Sequence, residues 1–293
     1  MTQWLRRVPS RRKALIALAL GGVVMIAVGA LLYRRVGVKA ALTGISSIVE
    51  PDNAWARCGP TIAHALGAID SEIYTNSREA FIHSYRRGYR NFEVDVALSS
   101  DGEVILEHDW ATPEQYESPA RPSYEQFMKR RVRGRYTPID LNGMIALASE
   151  YQDARLILDF KPELAVILPQ IVNRFRESAP TAIERLIPQI YHQSDLETAL
   201  RIYPFRSIIY TLYRTEDSNE EAIRFAREHG IGVIVLSEPR FDPWLVRRLA
   251  RDEVAVYVQT VNSAPQVQLY RKWGAAGVMS DILNPDSLCP NAT

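Results

Sequence analysis

The sequence predicts an α/β protein, namely a TIM (β/α)8 barrel with a β-hairpin above its mouth, preceded by one N-terminal transmembrane helix. Three observations lead to this prediction. Short apolar runs alternate with amphipathic stretches from Thr61 onward, a pattern typical of βα units and a parallel sheet. Eight such runs occupy about 240 residues, which is the size of a TIM barrel. An uncharged run from Ala14 to Tyr33 precedes them.

The uncharged run has twenty residues, enough to cross ~30 Å of hydrocarbon as a helix. More basic residues precede the run than follow it, which favours a cytoplasmic N-terminus and a folded body outside the cytoplasm, as at a bacterial-type inner membrane. They are Arg6, Arg7, Arg11, Arg12 and Lys13 before the run, and Arg34, Arg35 and Lys39 after it. A cleaved signal peptide is the competing interpretation, but the run exceeds the usual apolar core and no clean small-x-small site follows. We therefore expect an uncleaved, single-pass anchor.

The predicted organisation is a basic N-terminus and anchor over residues 1–40, a linker over 41–57 and the barrel over 58–293. Residues 1–40 hold eight Lys and Arg and no acids, so the remainder carries 27 basic against 34 acidic residues, about −7. Nucleic-acid binding needs clustered positive charge on the folded part and is not expected. The two cysteines, Cys58 and Cys289, would be neighbours where a barrel closes, so a disulfide and two unpaired thiols both stay open.

Short apolar runs between turn signals define the predicted strands. They are Thr61–Ala65, Asn91–Val96, Arg155–Phe160, Arg185–Tyr191, Ser207–Leu212, Gly232–Leu236, Ala255–Gln259 and Gly277–Ser280. The amphipathic stretches between them predict helices at Ser77–Arg87, Leu141–Tyr151, Pro162–Arg176, Ser194–Arg201, Ser218–Glu228, Pro243–Arg251 and Ala264–Trp273. A doubly wound open sheet is the alternative, but no Gly-rich phosphate-binding motif follows any strand.

The stretch from Asn91 to Trp110, NFEVDVALSSDGEVILEHDW, has the pattern of a β-hairpin. Glu93 and Asp95 are two residues apart and therefore share one face of the first strand. Asp101-Gly102 is a strong two-residue turn signal because glycine tolerates positive φ. Such a turn would place Asp95 directly opposite His108, with the Cβ atoms roughly 5 Å apart. An ordinary surface hairpin with a polar face is the alternative.

A two-residue link cannot make a parallel crossover, so Glu103–Glu107 is expected to run antiparallel to the strand before it. We expect this hairpin to project above the barrel mouth, where the carboxyl ends of the strands form active sites, and to bring His108 beside Asp95. The following residues, 111–138, are expected to form a loop with a short basic helix, MKRRVRGR, over the same face. The charges of that helix suit a solvated surface, and binding of an anionic substrate is the alternative.

Two further strand ends carry polar side chains. One apolar strand ends in His64, and another ends in Asp159 and Lys161, which share a face. Alone, His64 would more often be structural, and Asp159 and Lys161 would form an ion pair at the rim. Together with Glu93 and Asp95, Asp159 completes three carboxylates, which suit a hard divalent cation such as Mg²⁺ or Ca²⁺. Three converging acids without a cation would repel one another.

These residue types fit displacement at phosphorus. His64 and His108 can serve as general base and general acid, because imidazole titrates near neutral pH. A metal ion and Lys161 would balance the charge that develops on the phosphate oxygens. The remaining histidines, His83, His192 and His229, are expected to be structural or at the surface.

Six motifs follow one another over residues 61–282: IAHALG, TNSREAF, FEVDVALSSDGEVILEHDW, LILDFKPE, VYVQTVN and GVMSD. In this order and spacing they resemble glycerophosphodiester phosphodiesterases, within the wider group that includes phosphatidylinositol-specific phospholipase C. The resemblance implies a TIM barrel and a divalent cation, in agreement with the strand count and the acids.

Carried over position by position, the resemblance implies roles for individual residues. His64 and His108 correspond to the paired catalytic histidines, and Lys161 to the lysine that contacts the phosphate. Gln259 lies with Tyr257 on the strand where the family has an aromatic pocket wall, so we expect Gln259 to contact substrate, with a core role as the alternative. The metal ligands correspond to Glu93, Asp95 and Asp159.

The sequence departs from the family pattern at three places. The usual His-Arg-Gly is here His64-Ala65-Leu66-Gly67, so the arginine expected to hold phosphate is missing. The usual Pro-Glu-Asn-Thr reads Tyr74-Thr75-Asn76-Ser77, which keeps the Asn and a hydroxyl. Asp159 stands where the family usually has Glu, and it is one methylene shorter.

We therefore expect a membrane-anchored, metal-dependent phosphodiesterase that hydrolyses glycerophosphodiesters to glycerol phosphate and an alcohol by His/His acid–base catalysis. One alternative is a phospholipase C- or D-like enzyme acting on intact lipid head groups, by a metal-free route if Lys161 or an arginine replaces the ion. Another is a catalytically inactive barrel used for binding. A divalent-cation titration separates the metal enzyme from such a scaffold.

Overall fold

The structure is a computed structural model that describes residues 51–57, 59, 61–108, 121–160, 163–213 and 215–285. Within these residues, eight parallel strands form a closed barrel. The strand order is β1-β9-β8-β7-β6-β5-β4-β2-β3, and β1 pairs with β2 as well as β9, which closes the ring. The remaining strand, β3, is antiparallel to β2. The predicted TIM barrel is confirmed.

All eight predicted barrel strands are present: three have the predicted bounds, three are two or three residues shorter, one is two residues longer and one is shifted by one residue. Their bounds, with the hairpin strand β3, are β1 Ile62–Ala63, β2 Asn91–Leu98, β3 Val104–Leu106, β4 Arg155–Phe160, β5 Leu186–Ile190, β6 Ile209–Thr211, β7 Val233–Ser237, β8 Ala255–Gln259 and β9 Gly277–Ser280.

The described residues form nine α-helices, of which seven agree with predicted ones to within about two residues, whereas two short ones, Ala54–Arg57 and Tyr124–Lys129, lie outside those seven predicted ranges. The nine helices are α1 Ala54–Arg57, α2 Arg78–Arg86, α3 Tyr124–Lys129, α4 Leu141–Glu150, α5 Leu164–Ser178, α6 Gln193–Ile202, α7 Asn219–His229, α8 Pro243–Arg251 and α9 Ala264–Lys272. Side-chain caps set several starts: Ser77, Asp140 and Ser218 each accept a hydrogen bond from a backbone N–H in the first turn of α2, α4 and α7.

The barrel interior is apolar toward the amino ends of the strands. Because side chains alternate along a strand, every second residue faces inward, and one buried cluster contains Ile62, Ile157, Ile187, Ile209, Val233, Tyr257 and Met279. Trp55 of α1 packs 6.1 Å from the Tyr257 ring, and the Tyr257 hydroxyl donates to the carbonyl of Ala56 at 3.0 Å. Tyr257 is therefore a core residue, and α1, within the segment predicted as linker, closes this end of the barrel.

The hairpin differs from the prediction in register. Val96 pairs with Leu106 and Leu98 with Val104, and Glu107 N–H donates to the carbonyl of Asp95 at 3.1 Å. Asp95 is therefore opposite Glu107, and the predicted direct pairing of Asp95 with His108 is wrong by one residue. The cause is the turn: it has three residues instead of two, with Ser99 bonded to Glu103 across it and Gly102 at φ 89°.

The hairpin and the segment that follows also pack more closely than predicted. β3 is buried along its whole length, and Leu106 N–H donates to the carbonyl of Ile139 at 2.9 Å, so the hairpin is covered and does not project freely. The predicted basic helix is largely a turn, because helix α3 ends at Lys129 and Val132 pairs with Tyr136. Arg135 in this turn lies 3.7 Å from a carboxylate oxygen of Asp70. Such exposed pairing fits the solvated-surface interpretation.

Several predictions concern residues that the structure does not describe. The anchor at Ala14–Tyr33 and both cysteines lie outside the described ranges, so the anchor and the disulfide stay predictions. Among the described residues, no helix combines the length and the apolar character needed to cross a bilayer.

Two glycines with similar positive φ angles provide a test of the packing around the end of β1. Gly67 has φ 84° and Gly102 has φ 89°, but a Cβ on Gly67 would lie 2.3 Å from the Ser84 hydroxyl, whereas a Cβ on Gly102 would meet nothing within 4 Å. We expect Gly102→Ala to cost about 1–2 kcal/mol, the strain of a left-handed residue. Gly67→Ala should cost about 1–3 kcal/mol more, because the Ser84 hydroxyl must leave its hydrogen bond to the Leu66 carbonyl. Urea unfolding measures both, and equal losses would contradict the packing argument.

Candidate active site

Three carboxylates meet at the carboxyl ends of β2 and β4. Glu93 and Asp95 face inward from β2, and the sheet register pairs Asp95 directly with Asp159 of β4. One oxygen from each of the three lies within 4.8 Å of the others. All three side chains are buried, with 2% of Glu93, 0% of Asp95 and 6% of Asp159 exposed. The predicted convergence of these three acids is confirmed.

Each acid is fixed by a separate donor. The backbone N–H of Ala65 donates to Glu93 Oε2 at 2.6 Å, and Asn76 Nδ2 donates to Asp95 Oδ2 at 2.8 Å. Asn76 also accepts the backbone N–H of Asp95 at 3.1 Å. The hydroxyl of Tyr191 donates to Asp159 Oδ1 at 2.6 Å. These bonds hold the carboxylates in place despite their mutual repulsion.

His64 lies beside the acids, in a tight turn that follows β1. Ala65, Leu66 and Gly67 all have positive φ, which bends the chain so that Ala65 N–H reaches Glu93. His64 Nδ1 is 2.8 Å from Asp281 Oδ1, and His64 Nε2 is 3.9 Å from Glu93 Oε2. With Nδ1 engaged by Asp281, Nε2 is the ring nitrogen left to exchange a proton.

Asp281 is a site residue that the sequence argument did not identify. It follows β9, is 1% exposed and is itself held by Asn262, whose Nδ2 donates to Asp281 Oδ2 at 2.6 Å. Asn262 Oδ1 accepts the backbone N–H of Asp281 at 2.9 Å. A signal was present in the sequence, because Asp281 directly follows the apolar strand in GVMSD and Asn262 lies three residues after the strand in VYVQTVN. Polar residues in that position face the barrel mouth.

The charges around His64 and Glu93 shift both pKa values. Burial lowers the pKa of His64, but the carboxylates of Glu93, Asp281 and Asp95 outweigh it and raise the pKa from 6.5 to about 9. Burial and the nearby Asp95 charge raise the pKa of Glu93 from 4.5 to about 8, partly offset by His64. Both shifts show an excess of negative charge at the site, which a bound cation would neutralise.

His108 reaches the same cavity, although it is not paired with Asp95. Strand β3 ends at Leu106, so His108 lies beyond the ladder and the alternation of the strand does not fix its direction. Its ring lies 6.4 Å from the ring of His64, and Tyr74 contacts both rings. The cavity has a volume of about 270 Å³, and its described lining is His64, Tyr74, Glu93, His108, Asp159, Tyr191, Tyr213, Ser237, Gln259 and Thr260.

The remaining predictions about individual residues concern Gln259, Lys161 and the three histidines expected to lie outside the site. Gln259 lines the cavity, as expected of a substrate-contacting residue. Lys161 lies outside the described residues, so its role stays a prediction. His83, His192 and His229 are exposed, as predicted for residues without a site role.

The acids also fit a hard divalent cation. Three carboxylates are the oxygen ligands that Mg²⁺ or Ca²⁺ prefers. Glu93 Oε1 is buried and has no hydrogen-bond partner in the described part of the chain. A buried carboxylate oxygen without a donor is costly, so a cation ligand role would account for it.

Comparison with known proteins adds the fold relationship. No protein-family model matches the sequence, and no curated protein matches it. A phosphodiesterase from Oleispira antarctica, solved with the product sn-glycerol-3-phosphate, is similar at TM-score 0.62 and 17% identity over 78% of this chain and 95% of that chain. A glycerophosphodiester phosphodiesterase from Parabacteroides distasonis has a TM-score of 0.61 and 16% sequence identity, over 77% of this chain and 93% of that chain. One from Thermotoga maritima has a TM-score of 0.59 and 16% sequence identity, over 75% of this chain and 93% of that chain. The fold implied by the motif resemblance is confirmed.

The pKa shifts predict how the stability of the metal-free protein depends on pH. Glu93 keeps its proton to about pH 8 when folded but loses it near 4.5 when unfolded. His64 likewise binds its proton to about pH 9 when folded, against 6.5 when unfolded. Between the unfolded and folded pKa values of each group, the folded state binds more protons than the unfolded state. The free energy of unfolding should therefore fall as pH rises from 6.5 to 9. Thermal unfolding in EDTA across this range measures the trend.

The same experiment with a cation tests the acid cluster. At the upper end of the range, Mg²⁺ or Ca²⁺ at about 100 times its Kd should raise Tm by roughly 5–10 °C. Glu93→Gln should flatten the pH profile and remove most of the cation effect, whereas Glu72→Gln, at the surface, should leave both unchanged. If neither ion raises the Tm of the wild-type protein, the result contradicts a metal site at these acids.

Proposed function

We propose that this protein is a divalent-metal-dependent phosphodiesterase that hydrolyses glycerophosphodiesters to glycerol phosphate and an alcohol. The observation that carries the proposal is the arrangement of three buried carboxylates within 4.8 Å beside two histidines whose rings are 6.4 Å apart. This arrangement lies at the mouth of a barrel whose fold is shared with glycerophosphodiester phosphodiesterases.

The metal ligands would be Glu93, Asp95 and Asp159. A divalent cation held there supplies positive charge against the phosphoryl oxygens, on which negative charge increases during displacement. The backbone N–H of Ala65 binds Oε2 of Glu93, and Oε1, which has no hydrogen-bond partner among the described residues, would face the ligand. The fixed positions of the acids then require little reorganisation when charge develops.

The two histidines provide the proton transfers. A phosphodiester between the His64 and His108 rings would have one imidazole near the attacking water or hydroxyl and the other near the leaving alcohol. One histidine takes the proton of the nucleophile and the other gives a proton to the leaving oxygen, so protons balance over the reaction. Asp281 fixes the orientation of His64 through Nδ1, so its Nε2 faces the reacting groups.

The substrate class follows from the cavity and from the structural relatives. A cavity of about 270 Å³ suits a compact phosphodiester head such as glycerophosphate more than a large ligand. The Oleispira antarctica structure contains sn-glycerol-3-phosphate as product, which supports glycerophosphodiesters as substrates here. Gln259 at the cavity wall, and Lys161 after β4, would contact the substrate.

Turnover and its dependence on metal and histidines test the proposal. The full-length chain in detergent should release glycerol phosphate from glycerophosphocholine or glycerophosphoethanolamine when Mg²⁺ or Ca²⁺ is present, and EDTA should abolish this. His64→Ala and His108→Ala should each lower kcat by about 10²- to 10⁴-fold, because each removes one proton-transfer group. Release of glycerol phosphate is measured by an enzyme-coupled assay.

Matched controls separate the outcomes. His83→Ala removes an exposed histidine from α2 and should retain wild-type activity. Hydrolysis of intact phospholipid with no hydrolysis of glycerophosphodiesters would point to the phospholipase alternative. Cation binding with no turnover of any diester would point to a barrel used for binding, and activity that survives EDTA and both histidine variants would rule the mechanism out.

We also propose that residues 14–33 anchor the protein as a single-pass helix, with the barrel outside the cytoplasm. The support is the uncharged run and its basic flanks in the sequence. The full-length chain should remain in the membrane pellet after alkaline carbonate extraction, and a chain lacking residues 1–40 should be released. The barrel should be digested by protease added to spheroplasts. Release of the full-length chain by carbonate would contradict an anchor, and protection from protease would reverse the orientation.

A further inference from the structure

Tyr74 lines the cavity and has no role in the mechanism proposed above. We propose that the Tyr74 hydroxyl donates a hydrogen bond to a non-bridging oxygen of the bound phosphodiester, serving as a neutral donor where the described cavity wall offers no arginine or lysine. The inference rests on the proposed function and names a further substrate-contacting residue for it.

The position of Tyr74 is the first support. Its ring lies 5.0 Å from the ring of His64, edge to face at 86°, and 4.6 Å from the ring of His108. A phosphoryl group that exchanges protons with both histidines must lie between them. Tyr74 contacts both rings and lines the cavity, so it borders the space that this group would occupy.

The hydroxyl of Tyr74 is also uncommitted. It makes no hydrogen bond with any part of the chain that the structure describes. Tyr191, in the same cavity, differs: its hydroxyl donates to Asp159 at 2.6 Å and accepts from Gln189 Nε2 at 3.2 Å. A phenol that lines a cavity without an internal partner is a donor available to a ligand.

The charge of the cavity wall explains why such a donor is needed. None of the described residues that line the cavity is an arginine or a lysine. Two arginines of the 130–135 turn have partners elsewhere: Arg133 lies 3.8 Å from Glu72, and Arg131 donates to Thr137 Oγ1 at 2.7 Å. Within the described wall, a diester anion is therefore left to the histidines, a bound cation and neutral donors such as Tyr74.

The backbone around Tyr74 holds the side chain in place. Tyr74 has φ 58° and Asn76 has φ 43°, and positive φ is rare for a bulky residue such as tyrosine. It costs about 1–2 kcal/mol per residue. The segment is fixed by the two hydrogen bonds of Asn76 with Asp95 and by the 2.9 Å bond between the hydroxyls of Thr75 and Ser77. The same segment therefore fixes a metal ligand and Tyr74 together.

The chemistry of a phenol suits this contact at neutral pH. Burial, with the carboxylates of Asp281, Asp95 and Glu93, raises the pKa of Tyr74 above 10, so the hydroxyl keeps its proton and remains a donor. A hydrogen bond to a non-bridging oxygen strengthens as negative charge accumulates there during displacement. Its loss should therefore lower kcat more than it raises KM.

The test compares Tyr74→Phe and Tyr74→Ala with the wild-type full-length chain, using Mg²⁺ and glycerophosphocholine. Tyr74→Phe keeps the ring against both histidines and removes only the hydroxyl, so kcat should fall by about 100-fold with a smaller change in KM. Tyr74→Ala should be slower still, because the packing is lost as well. Tyr85→Phe is the matched control: it removes a hydroxyl bonded to Asp153 at the surface and should leave kinetics unchanged.

Binding measurements separate this inference from the proposed function. Calorimetric Mg²⁺ affinity should be the same in Tyr74→Phe and wild type, and weaker Mg²⁺ binding by the variant would overturn the substrate contact. Equal turnover of Tyr74→Phe and wild type would overturn it too. If the wild type hydrolyses no diester, the proposed function fails. In that case a roughly 5- to 10-fold weaker binding of sn-glycerol 3-phosphate with Mg²⁺ by Tyr74→Phe would still support the contact, and equal binding would overturn it.

Discussion

The mutual repulsion of three buried carboxylates is the interaction on which the rest of the site depends. Glu93, Asp95 and Asp159 lie within 4.8 Å of one another and are almost completely shielded from water. Unscreened like charges at this distance are costly, and the raised pKa of Glu93 shows where the cost falls. The fold sustains the cluster by giving each acid a donor and by placing His64 beside it. A cation at the centre would convert this repulsion into binding energy.

The inward-facing side chains of the barrel are apolar at the amino ends of the strands and polar at their carboxyl ends. Toward the amino ends of the strands, inward side chains are aliphatic or, like Tyr257, packed against Trp55. Toward the carboxyl ends, the same inward rows carry carboxylates, Gln259 and Asp281. The three carboxylates lie on strands, whose backbone is fixed by hydrogen bonds on both sides. His64 and His108 lie just beyond strand ends, and Tyr74 lies in the loop between β1 and α2, where the chain can adopt turns that orient these side chains.

The hairpin register shows where local sequence reasoning fails. Asp101-Gly102 favours a two-residue turn, yet the chain makes a three-residue turn and shifts the pairing by one position. In the observed register, Val104 and Leu106 pack into the core, and Ile105, which is also buried, is bridged to Asp140. His108 nevertheless reaches the cavity, since it lies after the strand end. Strand alternation could therefore not have placed its side chain in either register.

The sequence by itself determined the barrel, the strand positions and the shared face of Glu93 and Asp95, because the two-residue period and the alternation of apolar runs are local properties. It also indicated that polar residues at strand ends would meet at the mouth. The tertiary structure alone decided which residues touch: the pairing of Asp95 with Asp159, the contact of Asp281 with His64 and the contact of Tyr74 with both histidine rings. These contacts join residues distant in the chain, and they follow from strand register and loop backbone conformation, which packing across the whole barrel sets.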